Sequence, residues 1–371
     1  MNILILSWRG PGHPYAGGAE QVTHEHAKAW ISAGHDVTLF TSKTWKTSRK
    51  EVIDGVTIVR RGTDILGVQT AAVPFYLLHR PKFDLVIDQF HGIPFFTPFY
   101  IKVNKLAFIH EVAKEVWSYN PWPPPLNRLP AYFGPKIEPF VFKYIYREIP
   151  FLTVSESTKN DLIHMGIPKT NITVIHNGVN LEVPKKNVSK NKIKTALFLG
   201  AIAKDKGVYD AVKAFADIER KDEGWQYWVV GKGGLKEMGE LKKLIKSLGL
   251  GNKVRYWGFV NDKKKFELLA RATVLINPSI HEGWGLINIE ANAVSTPVVA
   301  YDVHGIRDSV KNGVTGILVK KGDFHSLAQS AIKLSIDTSL YSGLQINAYK
   351  WAKKFTWEKA KKESVGLIES L

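Results

Sequence analysis

The sequence predicts an α/β protein of two similarly built domains, each a parallel sheet covered by helices, and three observations point there. Short apolar runs alternate with amphipathic stretches, the pattern of strand–helix–strand units. The alternation runs twice, broken once by the lysine-rich, proline-containing stretch "LEVPKKNVSKNKIK". At 371 residues the chain also exceeds what one ordinary core accommodates.

The first series opens with a strand, "NILILSW", then the glycine-rich loop "RGPGHPYAGGAE", the helix "QVTHEHAKAWISAG" and a second strand, "HDVTLFTS". "FDLVIDQF", "LAFIHE", "FLTVSES" and "NITVIHNG" continue it as short apolar strands. The second series has "TALFLG", "WQYWVVG", "KVRYWGF", "ATVLINPS", "TPVVAYD" and "TGILV", with helices such as "KGVYDAVKAFADIER" between them. The expected division is a first Rossmann-like domain over 1–183, a linker over 184–193 and a second Rossmann-like domain over 194–350. A C-terminal amphipathic helix over 351–371 needs a surface to pack on and is expected to cross back onto the first domain. Ligands of such folds bind at the carboxyl ends of the strands, so two domains of this kind imply a cleft between them.

Composition narrows the function. The chain has no cysteine, which excludes disulfides, thiol catalysis and cysteine metal sites. The opening apolar run is too short for a secretory signal, and no stretch of about 18 apolar residues occurs. The expected location is therefore cytoplasmic. The net charge is +17, from 51 basic and 34 acidic residues. It suits nucleotides, nucleic acids or anionic membrane surfaces, and equally a solvated lysine-rich surface. Nucleic-acid binding has no other support and is not expected.

The stretch "SIHEGWGLINIEANAVSTPVVAYD" carries the most chemistry. A strand ends at Pro278, and a helix begins near Leu286 after Gly283, Trp284 and Gly285. On that helix Asn288, Asn292 and Ser295 share one face, read as solvent-facing, while Glu290 falls among Leu286, Ile287, Ala293 and Val294. A carboxylate on an apolar face is costly unless it is hydrogen-bonded. Either an internal partner holds Glu290, or it holds hydroxyls of a ligand. Glu282 stands just before the helix, where free backbone amides meet anions.

These residues resemble the donor-site motif of family-4 retaining glycosyltransferases, a Glu, seven residues and a second Glu, with Gly-aromatic-Gly after the first. "YAGGAEQVTHEHAKAWISAGHDVTLFTS", "VSESTKNDLI", "VIHNGVN" and "NGVTGILV" resemble further landmarks of that family in its order. The resemblance implies the GT-B fold, two Rossmann-like domains facing a cleft. It implies a nucleotide-sugar donor whose ribose hydroxyls bind Glu290 and whose transferred sugar lies against Glu282. The backbone from Trp284 through Gly285 and Leu286 to Ile287 would meet the sugar and phosphates, and Gly17 and Gly18 would let the first loop approach the diphosphate. Lys206, in "FLGAIAKDKGVYDAV", matches the lysine that grips the diphosphate. Where the family has an arginine directly after the strand glycine, Ala201 stands here, and Lys204 is the nearest substitute cation, without a bidentate fork. His110 matches the histidine that contacts the sugar. Ser155 is a secondary candidate, readable as a ligand contact or a helix cap.

The implied activity is transfer of a hexose, with retention, from a nucleoside-diphosphate sugar to a saccharide or lipid-linked acceptor in glycan or envelope biosynthesis. No two aspartates are spaced two apart, so no Asp-x-Asp metal clamp exists, and neither metal nor cofactor is expected. The rival readings are a nucleotide-sugar epimerase of the same fold and a catalytically weakened sugar-nucleotide-binding protein, the latter resting on Ala201. The segment 116–150, rich in prolines and aromatics with interleaved cations, reads as a helix pair buried against the first domain. The less favoured reading is a membrane-facing or lipid-acceptor surface, giving peripheral association at the inner face of the membrane.

Overall fold

The computed structural model describes residues 1–45, 47–64, 66–90, 92–120, 125–181 and 190–371. These form two compact units, Met1–Asn177 with Trp357–Leu371, and Gly178–Thr356. Of the expected linker 184–193, residues 184–189 lie outside the described residues. Residues 190–193 belong to the second unit, where the Asn191 amide donates to the Arg271 carbonyl at 2.8 Å.

The first unit carries an eight-stranded sheet: β1 (Asn2–Leu6), β2 (Asp36–Thr41), β3 (Lys50–Ile53), β4 (Val56–Arg60), β5 (Leu85–Phe90), β6 (Asn104–Ile109), β7 (Phe151–Thr153) and β8 (Ile172–Val174). Its order is β3-β4-β2-β1-β5-β6-β7-β8, and β3 alone pairs antiparallel, with β4. Leu4, Leu6, Val86, Leu106 and Phe108 are fully buried, as strands covered on both faces require. The second unit holds β9 (Thr195–Leu199), β10 (Gln226–Val230), β11 (Val254–Gly258), β12 (Val274–Asn277), β13 (Val298–Tyr301) and β14 (Gly316–Val319), all parallel, in the order β11-β10-β9-β12-β13-β14. The order reverses between β1 and β5 in one sheet and between β9 and β12 in the other. Loops leaving such strand pairs splay apart and open a ligand crevice.

The C-terminal segment differs from the single helix expected over 351–371. Trp351 and Ala352 close the helix Thr338–Ala352 in the second unit, and a separate helix, Trp357–Glu369, belongs to the first. The break has a packing cause: the Phe355 ring sits 4.9 Å from both Trp284 and Trp351, a seat it would leave if the helix continued. The last helix packs on Gly18–Ser32, where the Trp30 indole donates to Ser364 Oγ at 2.8 Å and Lys361 pairs with Glu25.

The segment 116–150 departs from the favoured expectation in part: Val141, Phe142 and Tyr146 are buried in the core of the first unit, but the helix before them is not. Its helix Arg128–Val141 buries Gly134 and Glu138 against the short turn Lys114–Tyr119 and Val141 in the core, while Leu129, Tyr132, Phe133, Ile137 and Phe140 face solvent. Residues 121–124 lie outside the described residues. Among the described residues, no helix is long and apolar enough to cross a membrane.

Candidate functional site

In the second unit the two loops at the β9/β12 reversal are locked together. Gly207 has φ +70, and a Cβ there would lie 1.9 Å from the Pro278 carbonyl oxygen, so only glycine permits the approach. The Ile280 amide completes the contact by donating to the Asp205 carbonyl at 2.9 Å. This clamp sets Lys206, on one loop, beside Glu282 on the other: Nζ lies 2.9 Å from Oε1, which also accepts from Ser279 Oγ at 2.9 Å. Both side chains keep some exposure, 28% and 17%. Lys204 is exposed in the same turn, and so is Ala201.

Gly285 ends the second loop in the left-handed region, φ +72, and starts the helix Leu286–Ala293. Leu286 and Ile287 are half-buried, leaving the helix start accessible, with its dipole favouring an anion there. Trp284 is buried, its ring edge-on to that of Phe355 at 4.9 Å.

The face assignment made from helical spacing is corrected here. Asn288 and Asn292 do not face solvent; both are fully buried. Asn288 accepts from Asn277 Nδ2 at 2.8 Å and donates to Ser309 Oγ at 3.0 Å, while Asn277 Oδ1 receives the Ser279 amide. This amide chain braces the loop that carries Glu282. The helix is enclosed by other elements of its unit on the side read as exposed, which no periodicity within eight residues reveals.

Glu290 is buried and held by an internal partner. Lys265 Nζ, on the helix Asp262–Arg271, lies 2.6 Å from its Oε1. Burial raises the Glu290 pKa, with the Lys265 charge opposing. Burial would lower Lys265, but the Glu290 charge and hydrogen bond outweigh it, so its pKa is raised. Lys265 escaped the sequence reading, which counted it only as surface charge. One signal was present: Lys265 shares the helix face of Leu268 and Leu269, both buried.

In the first unit, Gly17 and Gly18 follow β1 and open the helix Gly18–Ser32. The Gly17 amide donates to Glu20 at 2.6 Å, and Arg9 pairs with the same carboxylate at 2.8 Å. A Cβ on Gly18 would meet nothing within 4 Å, and one on Gly17 only the Glu20 carboxylate, at 4.0 Å. Crowding within the chain therefore does not demand either glycine.

His110 follows β6 and is 8% exposed. Gln89 Nε2 lies 3.1 Å from its Nε2. Burial, then the nearby His26 and Arg9, bring its pKa down to about 3, so it is neutral at pH 7. Its carbonyl accepts from Thr158 Oγ1 at 3.2 Å. Ser155 is fully buried and caps the helix Glu156–His164, accepting from the Thr158 amide. Of its two readings, the cap is the one observed. Among the described residues, no three His, Asp or Glu side chains are grouped as a metal site requires.

Residues 16–183 match the family described as Glycosyltransferase Family 4, and residues 180–351 the family described as Glycosyl transferases group 1. Among curated proteins, the uncharacterized glycosyltransferase MJ1607 of Methanocaldococcus jannaschii is 29% identical over 239 residues, 60% of each chain. The chain spans about 60% of the length of the first curated relatives it matches. Glycogen synthase of Mycobacterium tuberculosis is 25% identical over 91% of this chain and 86% of that one. Sucrose-phosphate synthase from Thermosynechococcus elongatus superposes with a TM-score of 0.81 at 20% identity, covering 100% and 98%. Anabaena Alr3699/HepE in complex with UDP-glucose does so at 0.78 and 18%, covering 100% of both. At such identities these structures share the fold, the GT-B pair of Rossmann-like units.

Proposed function

The chain belongs to glycosyltransferase family 4, and we propose that it moves a hexose from a nucleoside-diphosphate sugar to a saccharide or lipid-linked acceptor, with retention and without a metal. The observation that carries this reading is the clamped pair of loops at the β9/β12 reversal. A cation, Lys206, and a helix start stand there beside two carboxylates, Glu282 and Glu290, each already held by a lysine.

Lys206 and the amides from Trp284 to Ile287 take the diphosphate, doing the work of a divalent ion on the departing phosphate. Glu290 accepts from the ribose hydroxyls, and Glu282 lies against the transferred sugar. Each carboxylate acts as a fixed acceptor, its geometry set before the donor arrives. In the first unit, taken by itself, the Gly17–Gly18 backbone leaves room for an anion, and the His110 ring is neutral at pH 7. The bond from the anomeric carbon to the phosphate oxygen breaks as the acceptor oxygen bonds to the same face. The acceptor proton passes to the departing phosphate.

Support for a nucleotide-sugar donor comes from HepE, whose solved complex holds UDP-glucose. A panel of nucleoside-diphosphate sugars, screened by thermal shift and then by mass analysis of products with saccharide and lipid-linked acceptors, tests the reading. Donor-dependent stabilisation, release of nucleoside diphosphate and retained anomeric configuration are expected. Inversion at the anomeric carbon overturns the retaining mechanism. Conversion of the donor without any acceptor points to the epimerase, and donor binding without turnover to a weakened binder.

A further inference from the structure

We propose that the outer face of the helix Arg128–Val141 docks this protein onto an anionic membrane surface. Leu129, Tyr132, Phe133, Ile137 and Phe140 are each 48–60% exposed. At 100° per residue they fall within an arc of about 140°, and Lys136 lies inside the same arc. The buried Gly134, Glu138 and Val141 occupy the other side. Two large aromatics, a tyrosine and two aliphatics on one side of a single helix make a contiguous apolar stripe, which soluble monomers rarely leave in water.

Charge identifies what covers the stripe. The exposed cations Arg128, Lys136 and Lys143 flank or enter it. The helix's one acid, Glu138, is turned inward, accepting from the Ala113 and Lys114 amides and the Trp117 indole. The outward face thus carries positive charge alone. The Lys136 ammonium sits 3.6 Å from the Tyr132 ring centroid, so its stem runs along the aromatics with the charge at their level. Aromatic and aliphatic side chains with lysines rising among them match the depth profile of a lipid headgroup region, where the rings enter the acyl boundary and the ammoniums meet phosphates. A second protein copy would have to supply acids to the same face.

The helix is also held firmly enough to present this stripe. A Cβ on Gly134 would lie 2.3 Å from the Trp117 ring, so glycine lets the helix seat on that indole while Glu138 ties it to the turn. The outer residues contribute nothing to that seat, and changing them leaves the fold intact.

The test is flotation of the full chain with vesicles of zwitterionic lipid alone and of zwitterionic mixed with anionic lipid. The expected result is binding to the anionic vesicles that weakens with salt. The double variant Tyr132→Glu/Phe140→Glu should lose more than about tenfold in partitioning while keeping its thermal transition. Lys136→Glu/Lys143→Glu should abolish the preference for anionic lipid. No flotation of the parent protein at low salt, or equal flotation of the Tyr132→Glu/Phe140→Glu variant, overturns the proposal. So does a parent dimer that this variant converts to monomer, because the face would then belong to a second copy.

Discussion

Replacing Lys265 with Met leaves Glu290 buried without its counter-charge, and the consequence can be worked through. The carboxylate is 5% exposed, and Lys265 Nζ lies 2.6 Å from it. If Glu290 stayed ionised, the broken pair would cost about 3–5 kcal/mol. It can instead take up a proton, at about 1.4 kcal/mol per pH unit above an unfolded value of 4.5. That route costs about 3 kcal/mol at pH 7 and under about 1 kcal/mol at pH 5, and the cheaper route sets the loss. A carboxyl group raised above its unfolded pKa contributes full stability below that value and loses it as pH rises. The variant should therefore melt about 6–12 °C below the parent at pH 7 and within about 3 °C at pH 5. Scanning calorimetry at both pH values measures this, and Glu290→Gln in the same chain should restore most of the loss. A deficit of equal size at the two pH values, or none at either, would refute the claim that Lys265 holds a charged Glu290. Donor affinity should fall with stability, because a protonated Glu290 offers fewer acceptors to a ribose.

Burial holds His26 at about 4 and His110 at about 3, against 6.5 when unfolded. Only the unfolded chain then gains these protons below pH 6.5, so stability should fall on acidification by up to about 1.4 kcal/mol per pH unit for each ring. Urea unfolding at pH 7 and pH 5 should show this dependence reduced in His26→Leu; an unchanged slope would sink the assignment. Glu282→Gln should lower the transfer rate by about 10²–10³-fold, read as nucleoside diphosphate release. Its stability cost should stay near 1 kcal/mol, since the pair with Lys206 is partly solvated. Gly207→Ala, which drives a methyl group into the Pro278 carbonyl, should destabilise the second unit by several kcal/mol, on the order of 3. Gly17→Ala meets no neighbour closer than 4.0 Å and should leave melting nearly unchanged while weakening donor binding in titration calorimetry.

Most strand runs and their division into two series were legible because each is written in local periodicity, although β3 and β4 were not read. "NILIL" and "VLIN" cannot be other than buried strands when glycine-rich turns and amphipathic helices follow them. The loop bearing Glu282 and the helix bearing Glu290 were equally plain, since Gly283 and Gly285 punctuate them. What covers a given face is another matter, because it depends on elements remote in the chain. Asn288 and Asn292 have the spacing of a solvent-facing stripe, yet Asn277 and Ser309 meet the first and neighbouring elements enclose both. Phe133 and Ile137 read as core residues, yet no element of the described chain comes to cover them. The partner of Glu290 stands 25 positions before it, one lysine among three in "NDKKKF". Local pattern records which residues share a face; the path of the whole chain decides whether protein, water or another surface meets it. Here that path turned one apolar stripe outward and closed a polar one in.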